Sequence, residues 1–345
     1  MKRQSLLFTA PYVVEVREET ISAPAAHQLL VASEVSAISP GTEMLVYRGQ
    51  MPADVPLDAT ISALSGAFAY PLKYGYAAVG RVVATGTAVD PAWLDRLVFA
   101  FHPHESHFLA APDELIPVPN GLDAAAAVFL PNMETAVSFL MDGQPMIGEQ
   151  VAVFGQGIVG LLTTALLAQM PLARLVTADR HALRREWSTR LGAHASLDPA
   201  APAASASLLA TLQQDRPYPG ADLTFELSGH PAALDQAVAV TGFNGRVLIG
   251  SWYGTKPVSL QLGGHFHRSH MQLISSQVSH IAPRWHGRWT SARRLQIAWS
   301  QLARCQPAQR ITQLITHRFP LSQAAAAYRL IAEQPAQTIQ VLLDY

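Results

Sequence analysis

Residues 150–179, QVAVFGQGIVGLLTTALLAQMPLARLVTAD, decide the fold class of this chain. Val151, Ala152, Val153 and Phe154 form a short run of β-branched and aromatic residues, as a buried strand requires. Gly155, Gly157 and Gly160 follow at the spacing G-x-G-x-x-G, with Gln156, Ile158 and Val159 between them. The apolar run continues through Leu161, Leu162 and Leu167, which predicts a helix buried on most sides. A second strand from Arg174 through Ala178 ends in Asp179. In such a unit the first glycine makes a tight turn, the second lets backbone approach a pyrophosphate, and the third lets helix pack against strand. The helix N-terminus turns N–H groups and the positive end of its dipole toward the phosphates. An acid about 20 residues on, here Asp179, accepts hydrogen bonds from ribose hydroxyls. A glycine triplet alone is a weak signal. Strand, turn, helix, strand and acid in that order predict a dinucleotide site, the alternative being a βαβ unit that binds none. The carboxylate at the strand end predicts NAD. Arg180, directly after it, is a residue type that pairs with a 2′-phosphate, so NADP stays open. Arg184 and Arg185, a turn further on, are expected to be solvated.

The length of 345 residues suggests about two domains. Hydrophobic residues make up 49% and charged residues 14%, a composition that builds a large core rather than a disordered chain. A net charge of −1 gives no global basic field, so nucleic acid is not an expected partner. The single cysteine, Cys305, excludes intrachain disulfides and a Cys-rich zinc site. The first residues begin like a signal peptide, but Pro11, Glu15 and Arg17 interrupt any apolar core, which predicts a first strand instead. No apolar run reaches the ~18 residues of a membrane span, so no membrane association and a cytoplasmic location are expected.

Residues 1–125 alternate short apolar runs (12–16, 28–38, 80–84, 97–101 and 114–118) with Pro and Gly turns, which predicts a β-rich region. A helical pattern occupies 122–141. Beyond it, strands at 221–227, 246–250 and 271–275 and a helix at 231–240 extend the βαβ unit into an α/β, doubly wound parallel sheet of the Rossmann kind. The Ala/Pro-rich residues 199–207 suggest a surface connection. A strand at 311–317, a helix at 322–333 and a strand at 338–343 close the chain. The expected domains are 1–130 with 295–345, β-rich, and 131–294, dinucleotide-binding.

Several segments carry a more specific signature: Ile38-Ser39-Pro40-Gly41-Thr42-Glu43, Tyr70-Pro71-Leu72-Lys73-Tyr74-Gly75-Tyr76-Ala77-Ala78-Val79-Gly80, Asp95-Arg96-Leu97-Val98, Glu226-Leu227-Ser228-Gly229 and Gly245-Arg246-Val247-Leu248-Ile249-Gly250. With the glycine turn, they resemble the medium-chain dehydrogenase/reductase superfamily over essentially the whole chain. The resemblance implies a Rossmann domain plus a β-rich, chaperonin-10-like catalytic domain, and a homodimer. It also implies a nicotinamide cofactor contacted by Thr135, Ser228, Gly250 and Ser276 besides the glycine turn. The positions of the family's zinc ligands hold Pro40, Tyr76-Ala77 and Pro131 or Asn132, and the four-Cys structural lobe has no counterpart. The chain therefore resembles a zinc-lacking branch. Residues 38–43, followed by Tyr47-Arg48-Gly49-Gln50-Met51-Pro52, are similar to bacteriochlorophyllide 3-hydroxyethyl dehydrogenases and threonine-dehydrogenase-like proteins, which oxidise secondary alcohols with NAD. Ala77 and an insert at 53–69 depart from that pattern.

Hydride transfer without zinc needs another group on the substrate oxygen. The candidates are Thr42, at the family's hydroxyl position, or else a turn-stabilising residue; Tyr76, a proton donor or a filler of volume; and Lys73, an acid/base if buried or a solvated loop residue. Glu134 is a candidate base or an acid favoured by a helix N-terminus. His102, His104 and His107 are spaced H-x-H-x-x-H; a rebuilt metal site and a proton relay through His104 or His107 are both considered, with no metal expected. The stretch 265–294 interleaves His and Arg with Trp285 and Trp289, either a polar connection or a cationic aromatic wall for an acidic or planar small-molecule substrate. The expected activity is a secondary alcohol dehydrogenase or ketone reductase. The alternatives are a zinc-free quinone or enoyl reductase and a non-catalytic dinucleotide-binding protein.

Overall fold

A computed structural model of the protein describes all residues except 53–60, 62–63, 65–67, 213–217 and 310, and omits the side chains of 306–309. The departure at 53–69 therefore lies largely outside the described residues. The strands of the first part are β1 (Lys2–Ala10), β2 (Val13–Thr20), β3 (Leu29–Ile38), β4 (Ala78–Thr85), β5 (Leu97–Ala100), β6 (His107–Ala110) and β7 (Leu115–Pro117). The middle holds β8 (Gln150–Phe154), β9 (Arg174–Ala178), β10 (Ala195–Leu197), β11 (Ala221–Glu226), β12 (Thr241–Ile249) and β13 (Gln272–Ser275). The tail ends with β14 (Ile315–Pro320) and β15 (Gln340–Asp344). The helices are α1 (Thr42–Tyr47), α2 (Ala124–Ala127), α3 (Leu130–Gly143), α4 (Ile158–Leu167), α5 (Ala182–Arg190), α6 (Ala204–Thr211), α7 (Pro231–Val240), α8 (Ser291–Gln309) and α9 (Ala324–Glu333). No helix of the described residues is long and apolar enough to cross a membrane.

The chain forms two compact units, one of Met1–Pro131 with Leu302–Tyr345, the other of Asn132–Gln301. In the first, a seven-stranded sheet runs β14-β15-β3-β4-β5-β7, with β6 also paired to β3, and β1-β2 form a separate hairpin. The last strand lies antiparallel to β3, with Val341 opposite Ile38. The C-terminus is thereby built into the sheet beside the segment that leads to Thr42. Phe8, Ile38, Met44, Tyr47 and Tyr328 share one core. The Phe8 ring meets Tyr328 edge-on at 5.2 Å, and burying such a ring contributes about 2–3 kcal/mol.

In the second unit a six-stranded sheet runs β10-β9-β8-β11-β12-β13, every pair parallel. Numbered within the unit this is 3-2-1-4-5-6, the dinucleotide-binding order that reverses beside the first strand. Phe154 pairs with Ala178 on β9 and Glu226 on β11, so three strands end level. Gly155, Asp179 and Leu227 follow those ends, where open α/β sheets place their ligands. All of β8 is buried, as its continuous apolar run requires.

Several elements differ from the sequence expectation. Residues 199–207 include the start of α6 rather than a plain connection. The helical stretch 122–141 is split into α2 and α3, with Pro131 in the first turn of α3, where its missing N–H costs least. Residues 311–314 are a helical turn, and the strand runs from Ile315. The elements β6, β10 and α5 carry no clear sequence period, whereas α8 has one, with Ala298, Trp299, Leu302 and Cys305 buried along one face. In α5 only Ser188 is fully buried, so a sequence rich in charge leaves no apolar stripe to find.

Candidate active site

The glycine turn separates into two structural positions and one open one. Gly155 has φ +89°, and a Cβ there would lie 2.6 Å from Leu227 and Ser228 backbone. A Cβ on Gly160 would lie 2.0 Å from the Gly155 carbonyl oxygen. A Cβ on Gly157 would meet only Arg184 Nη1, at 4.0 Å. The fold therefore demands the first and third glycines and leaves a clear approach at the second. Gly157 also caps α4, and no side chain caps that helix end. The first N–H groups of Ile158, Val159 and Gly160 thus stand where phosphate oxygens would accept from them.

Asp179 is tied to this turn. Its Oδ2 accepts from Gln156 N at 2.7 Å and its Oδ1 from His181 N at 2.8 Å. Each carboxylate oxygen keeps a lone pair for a ribose hydroxyl. The Gln156 side chain turns inward, donating to Gly155 O and accepting from Thr164. Arg180 is exposed. Arg184 and Arg185 are not solvated as expected. Both are half-buried, Arg185 donates to the Asp179 and Arg180 carbonyls, and burial lowers the Arg184 guanidinium against the pull of Asp179. The first turn of α5 folds back over the strand end, which brings both side chains inward.

Other expected cofactor positions have structural tasks. Ser228 binds Glu226 through its N–H at 2.8 Å and its hydroxyl at 2.5 Å. A Cβ on Gly250 would lie 2.4 Å from the Phe139 ring, so this glycine lets α3 pack against the end of β12. Ser276 donates to Asp142 at 2.7 Å. Thr135 is partly buried on α3.

The first unit holds a buried polar cluster around Glu43, which is 0% exposed. Its Oε1 accepts from Ser39 N at 2.9 Å. Its Oε2 accepts from the Tyr328 hydroxyl at 2.6 Å and meets His104 Nε2 at 2.9 Å. His104 Nδ1 meets Ser36 Oγ at 2.7 Å, and Ser36 continues to the Tyr345 hydroxyl at 2.8 Å. A carboxylate at Nε2 calls for the ring proton there, leaving Nδ1 to accept from Ser36. Burial first, then the Glu43 charge, pushes the Tyr328 phenol well up, so it donates throughout the ordinary pH range. Toward the half-buried side, the Tyr76 hydroxyl donates to Ser39 Oγ at 2.6 Å, which also accepts from Thr42 N at 3.3 Å. Thr42 thus opens α1 beside a phenol and a hydroxyl.

Two expected catalytic residues, Lys73 and Glu134, lie outside this cluster, and a third, His104, is buried within it. Lys73 is not poised as an acid or base: its Nζ pairs with Glu19 at 2.5 Å and Glu105 at 2.6 Å, a cluster that Arg3 shares. Glu134 is held by Arg294 at 3.0 Å. Burial raises its carboxyl and Arg294 opposes that, so it anchors α3 to α8. His104 is 0% exposed, and its Nε2 meets only the buried Glu43 carboxylate among the described side chains. The three histidines do not converge, because His102 stacks on Phe108 at 4.1 Å and His107 turns to Ser106 at 3.2 Å. Among the described residues no group of three His, Cys, Asp or Glu could hold a metal. The positions that the resemblance gives to zinc ligands, Pro40, Tyr76-Ala77 and Pro131 or Asn132, carry no histidine, cysteine or carboxylate. Sequence inspection missed Ser36, Ser39, Glu43, Tyr328 and Tyr345. The one available signal was an acid, Glu43, directly after Thr42 in an otherwise apolar helix.

One unit carries a parallel sheet of dinucleotide-binding order with an open glycine turn, and the other carries a half-buried phenol and hydroxyl cluster. Residues 159–290 match the zinc-binding dehydrogenase family. The chain is 26% identical over its full length to 99% of the 2-desacetyl-2-hydroxyethyl bacteriochlorophyllide A dehydrogenase of Rhodobacter capsulatus. It is 26% identical to the L-threonine 3-dehydrogenase of Bacillus subtilis across 62% of this chain, spanning 56% of that relative. Its fold matches, with TM-score 0.77 and 18% identity over 100% of this chain and 99% of the other, an Escherichia coli "short chain alcohol dehydrogenase" complexed with NADH. These likenesses support the medium-chain dehydrogenase/reductase superfamily as the one this chain resembles.

Proposed function

We propose that this protein transfers hydride between NAD(H) and a secondary alcohol or ketone, with no zinc in the reaction. The observation that carries this reading is the Tyr76–Ser39 hydrogen bond of 2.6 Å beside Thr42, where the resemblance places the metal and the substrate oxygen. The turn from Gly155 to Gly160 and the Asp179 carboxylate would hold the dinucleotide. When bound, its nicotinamide gives or accepts hydride. In the reducing direction the Tyr76 hydroxyl hands its proton to the alkoxide oxygen, the Ser39 hydroxyl donates a hydrogen bond to the phenolate, and a proton from solvent restores the phenol. Positioned proton transfer of this kind contributes ~10²–10⁴-fold in rate. Glu43 fixes Ser39 through its backbone N–H, and His104 and Tyr328 fix Glu43. The Thr42 hydroxyl is the second group in reach of the substrate oxygen.

The Asp179 carboxylate, set against a 2′-phosphate, supports NAD over NADP. The test pairs NADH and NADPH with panels of ketones, quinones and enones, with and without a chelator. Ketone reduction that a chelator leaves unchanged supports the proposal. Turnover restricted to quinones or enones, or one tightly held zinc per chain, rejects it. NADH binding without turnover would make the protein a non-catalytic dinucleotide binder.

A further inference from the structure

The second unit contains a cavity that the proposed reaction does not use. It measures about 310 Å³ and is lined by Leu140 and Met141 of α3, by Gln144 just beyond it, and by Trp285, Arg288, Trp289 and Arg293. That volume is at the lower end for small-molecule sites. The lining carries two guanidinium groups and no carboxylate. Arg288 stands over the Trp285 ring at 4.9 Å and Arg293 over the Trp289 ring at 4.2 Å. Neither makes an ion pair among the described residues. Arg284 behaves differently: it too lies over Trp285, at 5.3 Å, but it is anchored by Asp142. The Trp285 Nε1 is buried with no hydrogen-bond partner, so a cavity-lining residue holds an unsatisfied donor.

We infer that this cavity binds a planar aromatic carboxylate. The indole faces and Met141 offer flat apolar contact, and the guanidinium groups offer charge and donors to a carboxylate. A cationic ligand meets two like charges here, and an aliphatic anion leaves the rings uncovered. The cavity lies at the C-terminal end of α3, and its lining holds none of the residues that the proposed reaction uses. Its ligand is therefore a second small molecule rather than the reacting alcohol.

The probe is naphthalene-2-carboxylate, compared by calorimetry with the neutral 2-naphthalenemethanol in the presence of saturating NADH. The carboxylate is expected to bind at least tenfold more tightly than the alcohol. The double variant Arg288→Met/Arg293→Met should remove that preference while leaving NADH affinity unchanged. Equal binding of the two probes, carboxylate binding that survives the double variant, or displacement of the probe by NADH each overturns the proposal. No binding by the wild type overturns it as well.

Discussion

The glycine turn at 155–160 and the Glu43 cluster build polar sites by opposite means. The turn is made of backbone: two glycines are needed for close approach, one leaves space, and a single carboxylate braces the loop. The Glu43 cluster is made of side chains, with a buried acid receiving Ser39, His104 and Tyr328 together. The first is open to a ligand at Gly157, and the second is closed except toward Tyr76 and Thr42. A backbone site tolerates change wherever nothing fills the space. A side-chain network tolerates none, because each lost partner leaves a buried group unpaired.

The largest effect that could break this contrast is at the turn itself. Gly160→Val would drive a side chain into the Gly155 carbonyl, and no soluble, cooperatively unfolding protein is expected. Gly157→Val should keep its melting temperature within a few degrees while NADH affinity falls ~100-fold or more, near 2.7 kcal/mol. Equal loss of fold in both variants would remove the distinction between the two glycine roles.

Next in size is Tyr76→Phe, which deletes the donor at the open end of the cluster. A fall in kcat of ~10²–10⁴ with an unchanged NADH dissociation constant is expected. Full activity would make Tyr76 a filler of volume. Smaller again is Glu43→Gln, which keeps shape but sets an amide N–H₂ or a weaker acceptor against two donors. Urea unfolding should show a loss of about 2 kcal/mol, with kcat reduced less than in Tyr76→Phe.

The smallest expected effect comes from Lys73→Met. Burial alone raises the Glu19 carboxyl, but hydrogen bonds from Lys73 and Ser5 and the charges of Lys73 and Arg3 outweigh it and hold the group below its ordinary 4.5. A depressed carboxyl stabilises the fold above its unfolded value and loses that contribution as pH falls through the folded value. The variant should therefore be about 1 kcal/mol less stable at neutral pH, with the gap from wild type closing below pH 4.5, and its turnover should be intact. A turnover defect larger than the stability loss would return Lys73 to the catalytic set.

The Rossmann sheet and the place of Asp179 were legible in the amino-acid order. The requirements of that unit act within about two dozen residues: a strand, a turn needing positive φ, a helix and a second strand. Burial on both faces writes them as unbroken apolar runs. The segments holding Thr42 and Tyr76 meet at Ser39 in the structure, whereas Lys73 from the same segment pairs with Glu19 and Glu105. The partners of His104 were not legible. Glu43 and Tyr328 are 285 positions apart, and Ser36 and Tyr345 are 309 apart. Their meeting follows from α9 packing into the core beside α1 and from β15 pairing with β3, which no local period encodes. A turn is specified by what the chain can do with its immediate neighbours. The pairing of a buried acid is decided only when the sheet closes, because burial without partners is what each of these groups must avoid.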